Sequence, residues 1–94
     1  MLRIEALWVD DEVLDKIEVK HGLRFSDVEE ALVSSKERCF HKVGGGQIRA
    51  LLKTSGGQYV VVFLTPLGGG DWKLNSAREM TPREKRIFKL SKKG

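Results

Sequence analysis

The order of apolar and polar positions divides the chain into a helical front, a strand-rich middle and one closing helix. Residues 2–9, LRIEALWV, read as a short strand or an extended lead-in. Asp10 or Asp11 can cap a helix over about Glu12–His21, where Val13, Leu14 and Ile17 share one face. Gly22 ends it as a left-handed cap. Ser26-Asp27-Val28-Glu29 is a capping box that opens a second helix. Val28, Ala31 and Leu32 form its inner face, and Ser34-Ser35 ends it. Two short helices joined by His21–Phe25 make a hairpin, which must lie on an apolar surface.

That surface follows. Glu37–Val43, Gln47–Thr54, Gln58–Thr65 and Trp72–Arg78 are strand candidates. Gly44-Gly45-Gly46, Ser55-Gly56-Gly57 and Gly68-Gly69-Gly70 separate them, which predicts three hairpins in series. Tyr59–Leu64, YVVVFL, suits the buried centre of a sheet, and Pro66 closes that strand. Plain alternation places Trp72, Leu74, Ser76 and Arg78 on one face of the last strand, with Lys73, Asn75, Ala77 and Glu79 on the other. Thr81-Pro82-Arg83-Glu84 then starts a helix: Thr81 caps the Glu84 amide, Glu84 reaches back, and Pro82 fits the first turn. The helix runs to about Leu90 and sets Ile87 and Leu90 inward, with Phe88 a further candidate. The pattern predicts one α+β domain over residues 1–94. A helical hairpin and a C-terminal helix pack with a four- to five-stranded antiparallel sheet.

Charge changes this picture more by its distribution than by its total of +4. Residues 1–35 hold four Lys/Arg and nine Asp/Glu, a net of −5; residues 36–94 hold thirteen and four, a net of +9. An acidic front and a basic remainder give a polarised surface, whose basic part suits a polyanion, most commonly nucleic acid. No apolar run approaches the roughly 20 residues of a membrane span, and the first residues lack a secretory pattern. One cysteine, Cys39, allows no internal disulfide, so a reducing cytoplasm is the expected setting.

The chemistry is narrowed mainly by exclusion. Two histidines, His21 and His41, and no carboxylate cluster with metal-like spacing argue against a metal site, and no other cofactor is expected. The glycine triplets are turns, since none is followed by the Gly-Lys-Ser/Thr of a phosphate loop. Cleavage of RNA without a metal is compatible with the residues present. The 2′-hydroxyl is the nucleophile, cations stabilise the phosphorane, and a side chain carries the proton. Arg78 stands at a strand end beside helix amides that favour an anion, and Arg49 and Lys53 can share its sheet face. Glu79 and His41 are candidate proton carriers, while Arg83 and Arg86 can hold flanking phosphates. Lys20 and His21 in the last turn of the first helix complement its dipole, a sufficient structural reason for both.

Three segments together resemble the BrnT family of toxins, which have the RelE-like ribonuclease fold. They are Trp8-Val9-Asp10 with Lys20-His21-Gly22 and Val28-Glu29-Glu30-Ala31; Lys53-Thr54-Ser55-Gly56-Gly57 with Val60-Val61-Val62-Phe63; and Ser76-Ala77-Arg78-Glu79-Met80-Thr81 with Glu84-Lys85-Arg86. The sequence departs from the family pattern at Val9, Leu52, Asn75 and Pro66-Leu67. The resemblance implies an endoribonuclease toxin that arrests growth, and a cognate antitoxin that is often a ribbon-helix-helix protein. Assembly would be a homodimer or a toxin–antitoxin hetero-oligomer. By position it makes Arg78 the main functional residue, puts Lys53 where an arginine is usual, and sets His21 at a corner near RNA. Two alternatives stay open at this point. One is a non-catalytic RNA-binding module or an inactive relative acting through an antitoxin-like partner; the other is a structural subunit whose basic face meets an acidic protein.

Overall fold

The computed structural model describes residues 4–34 and 38–91. In chain order they form β1 (Ala6–Trp8), α1 (Asp11–Asp15) running into a π-helical turn (Lys16–Lys20), α2 (Phe25–Ser34), β2 (Arg38–Val43), β3 (Gln47–Lys53), β4 (Tyr59–Gly68), β5 (Asp71–Glu79) and α3 (Pro82–Ser91). Expectations for residues 2–3, for Ser35 and Glu37 and for residues 92–94 of the basic tail lie outside the described residues.

The five strands make one sheet in the order β1-β5-β4-β3-β2. The glycine turns do join β2 through β5 as consecutive antiparallel neighbours. The lead-in strand differs: β1 pairs in parallel with β5, so the sheet is mixed rather than wholly antiparallel. Gly70 makes this junction. Its carbonyl accepts the Glu5 amide at 2.7 Å, its φ is +89°, and a Cβ there would lie 2.9 Å from Glu5 Cγ. Only glycine fits both conditions.

The helical hairpin covers one face of the sheet. Ile17, Leu23, Val28, Ala31 and Leu32 pack on Ala50, Leu52, Val60, Val62, Leu64, Trp72, Leu74 and Ala77. Gly22 has φ +65° and ends the first helical segment as expected. Two start signals act differently from expectation. Asp10 stands at the α1 N-cap without a side-chain cap bond, and its carboxylate pairs instead with Lys73 at 3.2 Å. α2 begins at Phe25, one residue early. The Arg24 carbonyl accepts the Asp27 and Val28 amides, and Glu18 accepts the Phe25 amide at 3.2 Å. Ser26 therefore falls inside the first turn.

The opposite face carries a smaller core of Leu51, Val61, Met80 and Phe88, covered by α3. Strand β5 serves both faces because its alternation is broken. Phe63 pairs with Ser76 but Leu64 pairs with Leu74, so Asn75 is an extra residue, held by a 2.7 Å bond from its amide to Thr65 Oγ1. Such a bulge shifts the phase of everything after it. Trp72 and Leu74 consequently share the hairpin face with Ala77, and Arg78 turns to the α3 face beside Val61. Uniform alternation had placed Arg78 with Trp72 and Leu74.

At α3 the capping box forms in full: the Glu84 amide reaches Thr81 Oγ1 at 3.2 Å, and the Thr81 amide reaches Glu84 Oε1 at 2.9 Å. Phe88 is the anchor, 1% exposed, whereas Leu90 is 63% exposed and does not turn inward. Glu84 and Phe88 are four residues apart and share a face, while a two-residue step to Leu90 turns about 200°. Replacing Phe88 with Ala is expected to cost about 3–5 kcal/mol of stability. Leu90→Ala should stay within about 0.5 kcal/mol of wild type, both measured by urea denaturation.

Candidate functional site

The sheet separates the charges that the sequence had already divided. Residues 10–30, mostly in the hairpin layer, carry eight carboxylates against three cations. On the other side α3 carries Arg83, Lys85, Arg86 and Lys89 against Glu84. The α3 side is therefore where a polyanion would be drawn.

Cross-strand register arranges this face in three rows. His41, Arg49, Phe63 and Ser76 form one row; Cys39, Leu51, Val61 and Arg78 form the next; Lys53 and Tyr59 form the third. Phe88 of α3 packs with Leu51 and Val61 of the middle row. Arg49 and Lys53 are four residues apart on one strand, so about 13 Å of sheet separates them.

Arg78 reaches from the end of β5 to the start of α3. Nη1 and Nη2 donate to the two Glu84 carboxylate oxygens at 2.8 and 3.0 Å, and Nη1 also donates to the Glu79 carbonyl at 3.1 Å. Its guanidinium lies 5.7 Å from the Phe63 ring centroid. The Arg78 side chain is 38% exposed, while that of Glu84 is 10% exposed. The Arg78 hydrogen bonds are the main cause holding the Glu84 carboxyl below the usual range, against the opposing effect of burial and with help from the Thr81 amide. The same bonds raise the Arg78 pKa.

Across β4 from this pair, Arg49 Nη2 lies 3.2 Å from His41 Nδ1, and His41 Nε2 lies 3.3 Å from Cys39 Sγ. A guanidinium only donates, so in this contact Nδ1 is the acceptor and Nε2 is the nitrogen that faces the thiol. Arg49 Nε is buried and meets no acceptor.

The third row holds a different arrangement. The ammonium groups of Lys53, Lys85 and Lys89 lie 5.4, 5.7 and 5.5 Å from the Tyr59 ring centroid. Phe88 meets that ring edge-on at 6.0 Å. The electron-rich ring face favours each cation, but the cations repel one another. Adjacent is a hollow of about 200 Å³ lined by Gly57, Gln58, Tyr59, Glu79 and Lys85.

The residues expected from sequence thus fall into three places. Arg78, Arg49 and His41 occupy the first two rows, and Lys53 belongs to the Tyr59 cluster with Glu79 at its hollow. Arg83 and Arg86 are exposed on α3; Arg83 points to the flank opposite Lys85, and Arg86 is one turn before Lys89. His21 lies at the corner of the helical hairpin, on the other side of the sheet. Tyr59, Lys85 and Lys89 were missed as a group. Their signals were present: Lys85 and Lys89 have helical i, i+4 spacing, and a short turn after Thr54 sets Lys53 opposite Tyr59. No set of three or more His, Cys, Asp or Glu side chains able to hold a metal occurs among the described residues.

The crystal structure of the Brucella abortus ribonuclease toxin BrnT superposes on this chain with a TM-score of 0.66, covering 81% of this chain and 96% of that one at 20% identity. This chain shares the fold of that protein. No family model matches the sequence, and no curated protein matches it. The likeness is therefore one of architecture: an α+β domain in which three helices meet a five-stranded mixed sheet.

Glu84 gives this face a pH dependence. Its folded pKa is depressed, so its contribution to stability is fully present above the ordinary glutamate pKa and is lost as pH falls through the depressed value. Glu84→Gln should lower stability by about 1–3 kcal/mol at neutral pH. In urea titrations the gap from wild type should close as pH drops through that acidic window.

Proposed function

We propose that this chain is an endoribonuclease toxin that cuts RNA without a metal and arrests growth until a cognate antitoxin, such as a ribbon-helix-helix protein, covers it. The carrying observation is the convergence of Lys53, Lys85 and Lys89 on Tyr59, with no ion pair to any of the three among the described residues. Like charges gathered without neutralisation favour a polyanion at that place. The fold shared with a ribonuclease toxin makes RNA the polyanion of choice.

In this reading Arg78 meets the scissile phosphate, Arg49 assists from across β4, and the three lysines hold a neighbouring stretch of backbone. Arg83 and Arg86 extend the cationic surface to flanking phosphates. Of the two proton-carrier candidates Glu79 is favoured, acting from the strand end rather than from the Arg78 face, since its register partner Val60 lies on the hairpin side. Glu79 lines the hollow beside Tyr59 and Lys85, whereas both His41 nitrogens already face Arg49 and Cys39. No helix among the described residues is long and apolar enough to cross a membrane, in keeping with action on cytoplasmic RNA.

Engagement of both His41 nitrogens also favours a second reading, a module that binds RNA without cutting it. One assay separates the two. Purified protein is incubated with RNA in EDTA, and the products are examined for 2′,3′-cyclic phosphate ends. Cyclic ends support the enzyme, and intact but bound RNA supports the module. For the enzyme, Glu79→Gln is expected to lower kcat by about 10²–10⁴-fold. Alanine at Lys53, Lys85 and Lys89 together should reduce the slope of log affinity against log salt by about 2. An unchanged slope would remove the three lysines from the RNA path.

A further inference from the structure

A guanidinium carries five N–H donors in one rigid plane. Three of those on Arg78 are committed. Glu84 takes one from Nη1 and one from Nη2, end-on, and the Glu79 carbonyl takes the second from Nη1. What remains is the Nε–H and the outer Nη2–H. These two point in parallel along one edge of the plane, the other bidentate fork of an arginine. Neither meets an acceptor within the described residues, and Arg78 Nε is not among the buried, unpartnered donors.

The end-on partner is itself fixed. Glu84 is 8% exposed, its Oε1 also accepts the Thr81 amide at 2.9 Å, and its own amide is held by Thr81 Oγ1 at 3.2 Å. The Phe63 ring lies 5.7 Å from the guanidinium centre. The orientation of the remaining fork is thus set by a carboxylate, a carbonyl and a ring.

We infer that Glu84 is a positioning residue: it holds Arg78 so that the Nε–H and outer Nη2–H receive two oxygens of one phosphodiester. The identity of that phosphodiester as RNA rests on the ribonuclease reading; the aiming of the fork does not. The opposing view is that Glu84 neutralises Arg78 and withholds it from anions. It predicts the reverse response to mutation, because removing the carboxylate would then free the arginine.

The test uses the full chain and inorganic phosphate as probe, followed by NMR through the Arg78 Nε–H resonance, which is assigned by its loss in Arg78→Lys. Wild type should show a saturable shift of that resonance. Glu84→Gln can still cap the Thr81 amide, since glutamine serves in a capping box, but it no longer offers a paired carboxylate. Its phosphate affinity at this resonance should weaken about tenfold. Glu84→Asp keeps the charge but withdraws it from the fork, and should weaken binding in the same direction. Folding of each variant is checked by amide spectra at the same temperature.

On RNA, Glu84→Gln should lower kcat with little change in KM, because the lysines remain. Arg78→Lys should do the same, and the double variant should be no worse than Arg78→Lys alone. The inference is overturned if wild-type Arg78 Nε–H ignores phosphate, or if Glu84→Gln binds phosphate as tightly or more tightly. Phosphate binding that depends on Glu84 in a protein that leaves RNA intact would sink the ribonuclease reading and keep this one. Wild-type cleavage with phosphate affinity and kcat untouched in Glu84→Gln would do the opposite.

Discussion

One carboxylate joins the end of the sheet to the helix that covers it. Glu84 closes the capping box with Thr81 and takes both terminal nitrogens of Arg78. Without the cap, α3 would begin with unsatisfied amides; without the arginine, a nearly buried charge would stand alone. With both partners present, the first turn of α3 is locked to the last residues of β5. Phe88 then lands on Leu51 and Val61, and Lys85 and Lys89 land beside Tyr59.

The bulge at Asn75 is the second constraint, and it acts on the first. A strand that kept strict alternation would carry Arg78 into the apolar layer beneath the helical hairpin, where a guanidinium has no partner. The extra residue lets β5 bury Trp72, Leu74 and Ala77 on that side and still present Arg78 on the other. Local irregularity thereby places a charged side chain where a carboxylate can meet it.

The sheet also partitions charge. Acidic helices lie over one face, and a basic helix lies over the other. Three lysines around one tyrosine work against folding through mutual repulsion, tempered by the ring and by solvent. Under the proposed function, an anionic chain bound there would relieve that repulsion. The fold alone does not assign that surface a role, since one architecture hosts many functions; the proposed role rests on the side chains.

Much of the architecture was legible from local chemistry. Glycine turns, the Thr81–Glu84 cap, Gly22 and the runs of β-branched residues each act over a few residues, so sequence determined the helices, the three hairpins and the acidic–basic division. Arg78 was likewise legible as a charge at a strand end, because cap and strand are adjacent. Tertiary structure alone decided the rest. The parallel pairing of β1 with β5 joins residues far apart in the chain, and the Asn75 bulge depends on its partner strand. The removal of His21 to the far face depends on which side of the sheet the hairpin covers, and the meeting of three lysines at Tyr59 depends on where α3 comes to rest. Packing sets that, through contacts no single segment contains.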